Sequence, residues 1–253
     1  MKIASIAFVT LREALRQKLA VNLLVFALLL TSASIILSSL TFGEQYRIIS
    51  DLALTSAQLF GTLIAVFLGA GLVAGDVQRR TLYPIIAKPL GRAEYLVGRY
   101  LGLVLTLELN LAAMAAASIA VLAVYTGGFG FLHRTPFAAA YLGTGLQFAL
   151  IGAMAIAFSS LTNVTLAAMF TLALTFAGHF SREMFVYWQH QDSPVRALAY
   201  VLPNLAGLDY KVEFVYQRAV EGGRLAWAAL YALLYVAVVL ALACAAFARW
   251  DFR

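Results

Sequence analysis

Residues 74–102, AGDVQRRTLYPIIAKPLGRAEYLVGRYLG, hold the densest charge in the first half of the chain: Asp76, then Arg79, Arg80, Lys88, Arg92 and Arg99, with Glu94 between the last two. Five cations on a compact, helix-prone island can dock an acidic surface of a partner protein, or can simply mark the membrane face where Lys and Arg accumulate. A second feature is Glu108 with Asn110 in LTLELNLAAMAAA, an ionisable group set about ten residues into an apolar run, where its cost makes a functional role the default expectation. Glu108 can line a polar conduit or hydrogen-bond a hydroxyl of a neighbouring helix, and the Thr/Ser-rich run Thr31, Ser32, Ser34, Ser38 and Ser39 offers such hydroxyls. Covalent chemistry finds no such basis. His133, His179 and His190 lack metal-ligand spacing, no Ser/His/Asp or paired-carboxylate set converges, and the lone Cys244 supports neither a disulfide nor a thiolate metal site. There is no G-x-x-x-x-G-K-[ST] loop and no Gly-Lys dipeptide, so an enzyme that hydrolyses nucleotide by P-loop chemistry is not expected from this chain, which needs no cofactor of its own.

The elements that must position these residues are read from composition. Apolar residues make up 63% of the 253 and charged residues 12%, and mean hydropathy is +0.87. Apolar runs of about 20 residues match the length of helix that spans a bilayer. Six spans are expected, at 20–41, 54–75, 97–125, 136–158, 164–180 and 225–248, forming an all-α integral membrane protein with one domain over 1–253 and membrane lipids as its surroundings. The start, MKIASIAFVTLREALRQK, is too charged for a signal peptide. Ile3, Ile6, Ala7, Leu11, Ala14 and Leu15 recur at helical spacing, so residues 1–19 are expected to lie along the membrane surface as an interfacial helix.

Lys/Arg counts give the orientation. Four basic residues precede the first span and five lie in 76–99, against Arg47 and Arg134 alone in the two intervening loops, which puts both termini and the island in the cytoplasm. The 181–224 segment carries five basic residues offset by Glu183, Asp192, Asp209, Glu213 and Glu221, and an even number of spans places it outside. It is long for a plain connection and has apolar patterning of its own: Ser193-Pro194 can start a helix, Pro203 can end it, and Tyr210, Phe214 and Val215 can seed a second piece. Gly71 and Gly75, and Gly98 and Gly102, form two G-x-x-x-G pairs flanking the island, which would let the second and third spans approach closely. Basic residues are not interleaved with aromatics in a groove-like pattern, so the pI of 9.5 points to the inner membrane face and not to nucleic acid.

The order Asp76, Arg79, Arg80, Thr81, Tyr83, Lys88, Pro89, Arg92, Glu94, Tyr95, Arg99 and Gly102 resembles the coupling region of the six-span permease subunits of ABC-2 type ABC transporters. TLREALRQK is similar to that family's N-terminal connecting helix, LPNLAGLDYKVEFVY to its segment between the fifth and sixth spans, and FARWDF to its C-terminal end. Gly91 departs from the Ser often found there, which leaves the cap of the turn open. The resemblance implies a bacterial or archaeal inner-membrane permease in which 76–96 is a cytoplasmic coupling helix seated on an ATPase subunit, two copies of which bind ATP and Mg. It also implies pairing with a second permease copy or a homologous permease, and short re-entrant or surface helices within 181–224. Export of a lipid, glycan or amphiphilic small molecule is the expected activity. Relatives such as the nitrous-oxide-reductase maturation permeases instead transmit force to a periplasmic partner, and an ATP-independent scaffold or channel is the alternative of a different class.

Overall fold

The computed structural model describes residues 2–39, 43–78, 91–134, 136–181 and 202–248, and among these there is no strand. The helices are α1 (Lys2–Ala14), α2 (Lys18–Ser39), α3 (Gln45–Gln78), α4 (Arg92–Thr126), α5 (Phe131–Arg134), α6 (Phe137–Leu161), α7 (Val164–His179), α8 (Lys211–Val215) and α9 (Gly222–Ala248), with a 3-10 turn at Ala206–Leu208. Five of them, α2, α3, α4, α6 and α9, are long and apolar enough to cross a membrane, and by that measure the chain is a multi-pass membrane protein. Their apolar residues do not fall on one stripe, because a helix with lipid on one side and protein on the other is apolar all round.

α6 is the central helix: 72% of its apolar window is buried, against 22% for α2 and for α9. Close contact between α3 and α6 depends on glycines the sequence reading passed over. A Cβ on Gly61 would lie 2.0 Å from the Phe148 ring, and one on Gly69 would lie 2.6 Å from Ala155 Cβ. Between them pack Ile64, Ala65, Leu68, Leu103, Leu107, Phe148 and Ile151, all buried.

The expected fifth span, 164–180, is shorter than the others. α7 has 16 residues, about 24 Å at the usual rise and less than the roughly 30 Å of a hydrocarbon core. Running antiparallel to α6, it stops near the level of Gln147, about ten residues or roughly 15 Å from the start of α6. Residues 202–216 fill the layer it leaves. Leu205 N–H bonds the Gly178 carbonyl at 3.1 Å, Gln147 Nε2 donates to the Leu205 carbonyl at 3.0 Å, and Leu205, Leu208, Tyr210 and Phe214 are buried. Phe214 meets Phe137 edge-on at 5.5 Å. This part of the outer segment packs into the helical bundle, while the anticipated helix start at Ser193-Pro194 lies outside the described residues. Backbone that leaves regular helix at such depth is tolerable because it is enclosed by protein and bonded.

Candidate functional site

At the island end of the bundle, α1, α3 and α4 converge on Arg99. Its side chain is 9% exposed and its guanidinium reaches carboxylates from two other helices: Glu13 Oε2 of α1 at 2.7 Å, and Asp76 Oδ2 of α3 in closer contact. Tyr95, one turn before Arg99, donates its hydroxyl to the same Asp76 oxygen. Arg99 Nε donates to Tyr95 Oη at 3.3 Å and Nη1 to Thr10 Oγ1 at 3.4 Å. Asp76 sits in the last turn of α3, where the helix dipole disfavours a negative charge, so an adjacent cation is what makes a carboxylate tolerable there. A guanidinium suits this job because its fork of donors serves two carboxylates at once.

The same end explains the Gly98 and Gly102 pair differently from the sequence reading. Neither glycine admits α3. A Cβ on Gly98 would lie 2.8 Å from Ile6 Cβ, and one on Gly102 would lie 2.5 Å from Thr10 Cβ and 2.6 Å from the Ala7 carbonyl. The notch holds α1. Ala7, Thr10 and Ala14 are buried on that contact, while Phe8 and Val9 point outward at 64% and 63% exposure. Ile6 and the small residues of α1 therefore face α4, while Phe8 and Val9 face the surroundings. Gly71 and Gly75 have nothing within 4 Å of an added Cβ, and line an open cleft of about 450 Å³ with Glu13, Gln17, Asp76 and Gln78.

Of the residues assigned to coupling, Arg79, Arg80, Thr81, Tyr83, Lys88 and Pro89 lie outside the described residues. Asp76, Arg92 and Glu94 flank them and are placed. Glu94 reaches back to the Gly91 N–H at 3.1 Å, so one bond of a capping box forms, while Gly91, lacking a side chain, cannot return the other. Arg92 Nη1 donates to the Ala248 carbonyl at 2.9 Å, satisfying a terminal carbonyl of α9, and Tyr95 stacks on Phe247 at 6.5 Å. The start of α4 thus also anchors the end of α9. On α6, Ser159 Oγ donates to the Ala70 carbonyl at 2.7 Å and accepts from the Ala74 N–H at 2.9 Å. The Ser159 hydroxyl thus ties α6 to the backbone of the last turns of α3 before the island.

The intramembrane polar pair is split. Asn110 is buried and donates to the Thr106 carbonyl of its own helix at 2.8 Å. Glu108 is half-buried with its carboxylate against Gly145 of α6, where a Cβ would lie 2.8 Å from either oxygen. No hydroxyl of α2 reaches it: Ser32, Ser34, Ser38 and Ser39 bond carbonyls of their own helix, and Thr31 meets Ser56 of α3 at 3.1 Å.

Sequence reasoning missed the polar ties at the opposite end. Gln58 Nε2 donates to Asp209 Oδ1 at 3.0 Å, Lys211 pairs with Asp51 at 2.9 Å, and Arg224 with Glu213 at 2.6 Å. The available signal was Gln58 and Gln147, two carboxamides inside expected spans, where a polar side chain needs a partner. Searched against protein-family models and against curated proteins, the chain has no match in either comparison.

Proposed function

We propose that this chain is the membrane subunit of an ABC-2 type transport system, working as a pair of permeases with two ATPase subunits that bind ATP and Mg on its cytoplasmic face. The observation that carries this reading is the Arg99 cluster. Its members sit on both sides of residues 79–90, so a push on that segment would reach the ends of α3 and α4 together, and through Glu13 and Thr10 would move α1 with them. This is the behaviour needed of a coupling region, and it agrees with the family-like order of Asp76, Arg79, Arg80, Lys88, Arg92 and Glu94. The cargo class is a lipid, glycan or amphiphilic small molecule, carried outward. A second reading, transmission of ATPase motion to a periplasmic partner, is favoured by one feature: α3 carries Asp76 at one end and is bonded through Gln58 and Asp51 to the inserted 202–216 segment at the other.

The test is to purify the chain from its native host with whatever ABC ATPase accompanies it and compare wild type with the double variant Arg79→Glu, Arg80→Glu. The double variant keeps Glu13, Asp76, Tyr95 and Arg99 in place and should insert normally. Charge reversal across a docking surface is costly, and the expected result is loss of the co-purifying ATPase. Stoichiometric ATPase with normal stimulated hydrolysis in that variant would remove the docking assignment.

A further inference from the structure

At the end of the bundle opposite Arg99, an open cleft of about 380 Å³ lies between the end of α4 and the turn after α8. That volume is at the small end of the range for small-molecule sites. Two helix C-termini face each other across it. α4 ends in Gly127 at φ +71, and Gly128 N–H returns to the Ala123 carbonyl at 3.0 Å. α8 ends the same way, with Arg218 N–H on the Glu213 carbonyl at 2.8 Å and Gln217 N–H on Phe214, but its left-handed position is held by Gln217 at φ +53, the one non-glycine with positive φ among the described residues. Glycine is the usual residue there because a Cβ is strained in that conformation. The strained residue contributes the side chain that glycine lacks, and the Gln217 carboxamide makes no hydrogen bond to the protein while lining the cleft.

Tyr46 lines the same cleft from α3, and its buried hydroxyl has no partner; nor has Ser50 Oγ, one turn deeper on the same helix face and fully buried. Buried hydroxyls without partners are uncommon and mark a place where water or a ligand completes the set. Thr126 uses its proton on the Leu122 and Gly128 carbonyls at 2.8 Å each, leaving its oxygen as an acceptor. The Phe131 ring and the side-chain-free backbone of Gly128 and Gly130 line it too, and among the described residues no charged side chain takes part. Aromatic faces, a carboxamide, hydroxyls and bare backbone, without charge, suit a neutral polyhydroxylated ring that stacks and both donates and accepts hydrogen bonds.

We infer that this cleft is a binding site for a neutral sugar ring, either a free glycan or the headgroup of a glycolipid. It does not depend on the ATPase reading. The test uses the whole chain in nanodiscs prepared without glycoside detergents, whose headgroups are themselves sugars. Maltose is titrated against discs of plain phospholipid, and glucosyldiacylglycerol is offered as a disc component with binding read by native mass spectrometry. Tyr46→Phe and Gln217→Gly should each weaken binding about three- to tenfold, the span of a lost neutral hydrogen bond, while neither lowers the melting temperature, because one removes an unpartnered hydroxyl and the other relieves backbone strain. Maltose binding weakened by both variants identifies a free glycan site, and glycolipid binding alone, weakened in the same way, identifies a headgroup site. Absence of binding by either probe, or binding equal in wild type and both variants, overturns the inference.

Discussion

Arg99 and Tyr46 sit at opposite ends of the same helical core, and the surrounding residues treat buried polarity in opposite ways. At the Arg99 end the network is closed: one guanidinium, two carboxylates, a phenol and a hydroxyl meet one another across three helices. At the Tyr46 end hydroxyls are buried without partners and a glutamine occupies a backbone conformation suited to glycine. A closed network makes helices move as a unit, because separating any pair exposes an unpaired buried charge. An open one leaves capacity for something else to bind. Under the function proposed here, the first end would transmit force and the second would recognise a ligand.

The largest expected effect comes from breaking the closed network. Arg99→Met leaves Asp76 nearly buried beside the negative end of α3, and loss of one partner of a buried ion pair typically costs about 3–5 kcal/mol. The pair Arg99→Met with Asp76→Asn should recover much of that loss, since the more buried carboxylate is neutralised and only the part-exposed Glu13 is left without the guanidinium. A cysteine at Ala14, fully buried against the bundle, in a Cys244→Ala background, reports on α1 directly. It should resist alkylation in the parent and react in Arg99→Met. Equal protection in both would mean that α1 is held by its apolar contacts alone, and the two ends would no longer differ in the way described.

A smaller effect sharpens the comparison at the level of two identical motifs. Gly102→Ala drives a Cβ into Thr10 and the Ala7 backbone at 2.5 and 2.6 Å, and overpacking of this kind costs about 1–3 kcal/mol. Gly75→Ala enters open space and should be neutral, or stabilising by up to about 1 kcal/mol from helix propensity. Thermal unfolding of the two variants in the same nanodiscs is the measurement. Destabilisation by Gly75→Ala would mean that a helix occupies the cleft beside Asp76 in the working assembly.

These glycines also show how far the sequence was legible. Spans are a local property, so run length alone locates the five long helices, whereas Asp76 and Glu94 stand out through the family-like order of the island and Arg99 as one of its five cations. Which helix fills a G-x-x-x-G notch is a tertiary fact. The signal was present in Ala7, Thr10 and Ala14 at helical spacing on α1, but small apolar residues on a basic amphipathic helix read equally well as a lipid-facing stripe. Arg99 was similarly ambiguous, since its carboxylate partners come from 86 and 23 positions away. The shortness of α7 was hidden because its apolar run is continuous and only the insertion of 202–216 sets where it stops.

Glu108 carries the smallest expected change in stability and the sharpest choice between roles. As structural glue it would hydrogen-bond a neighbouring span, so Glu108→Leu would strand that partner and lower the melting temperature, whereas Glu108→Gln would be tolerated. In the structure the carboxylate has no hydrogen-bond partner among the described residues and rests against Gly145, with the α2 hydroxyls occupied elsewhere. Nothing is stranded by its removal, so both variants should stay within about 0.5 kcal/mol of the parent, the range of substitutions that break no specific contact, or be slightly more stable for losing an unpaired ionisable group. Activity then decides the role. A carboxylate lining a conduit requires the charge, and both variants should lower cargo-stimulated ATP hydrolysis by the partner to a similar degree. Destabilisation by Glu108→Leu with Glu108→Gln intact would restore the glue role and place a hydroxyl or amide of another subunit against α4. Full activity with unchanged stability in both variants would leave Glu108 without a role in the pathway and transfer that expectation to Gln58 and Gln147, two further polar side chains within the spans.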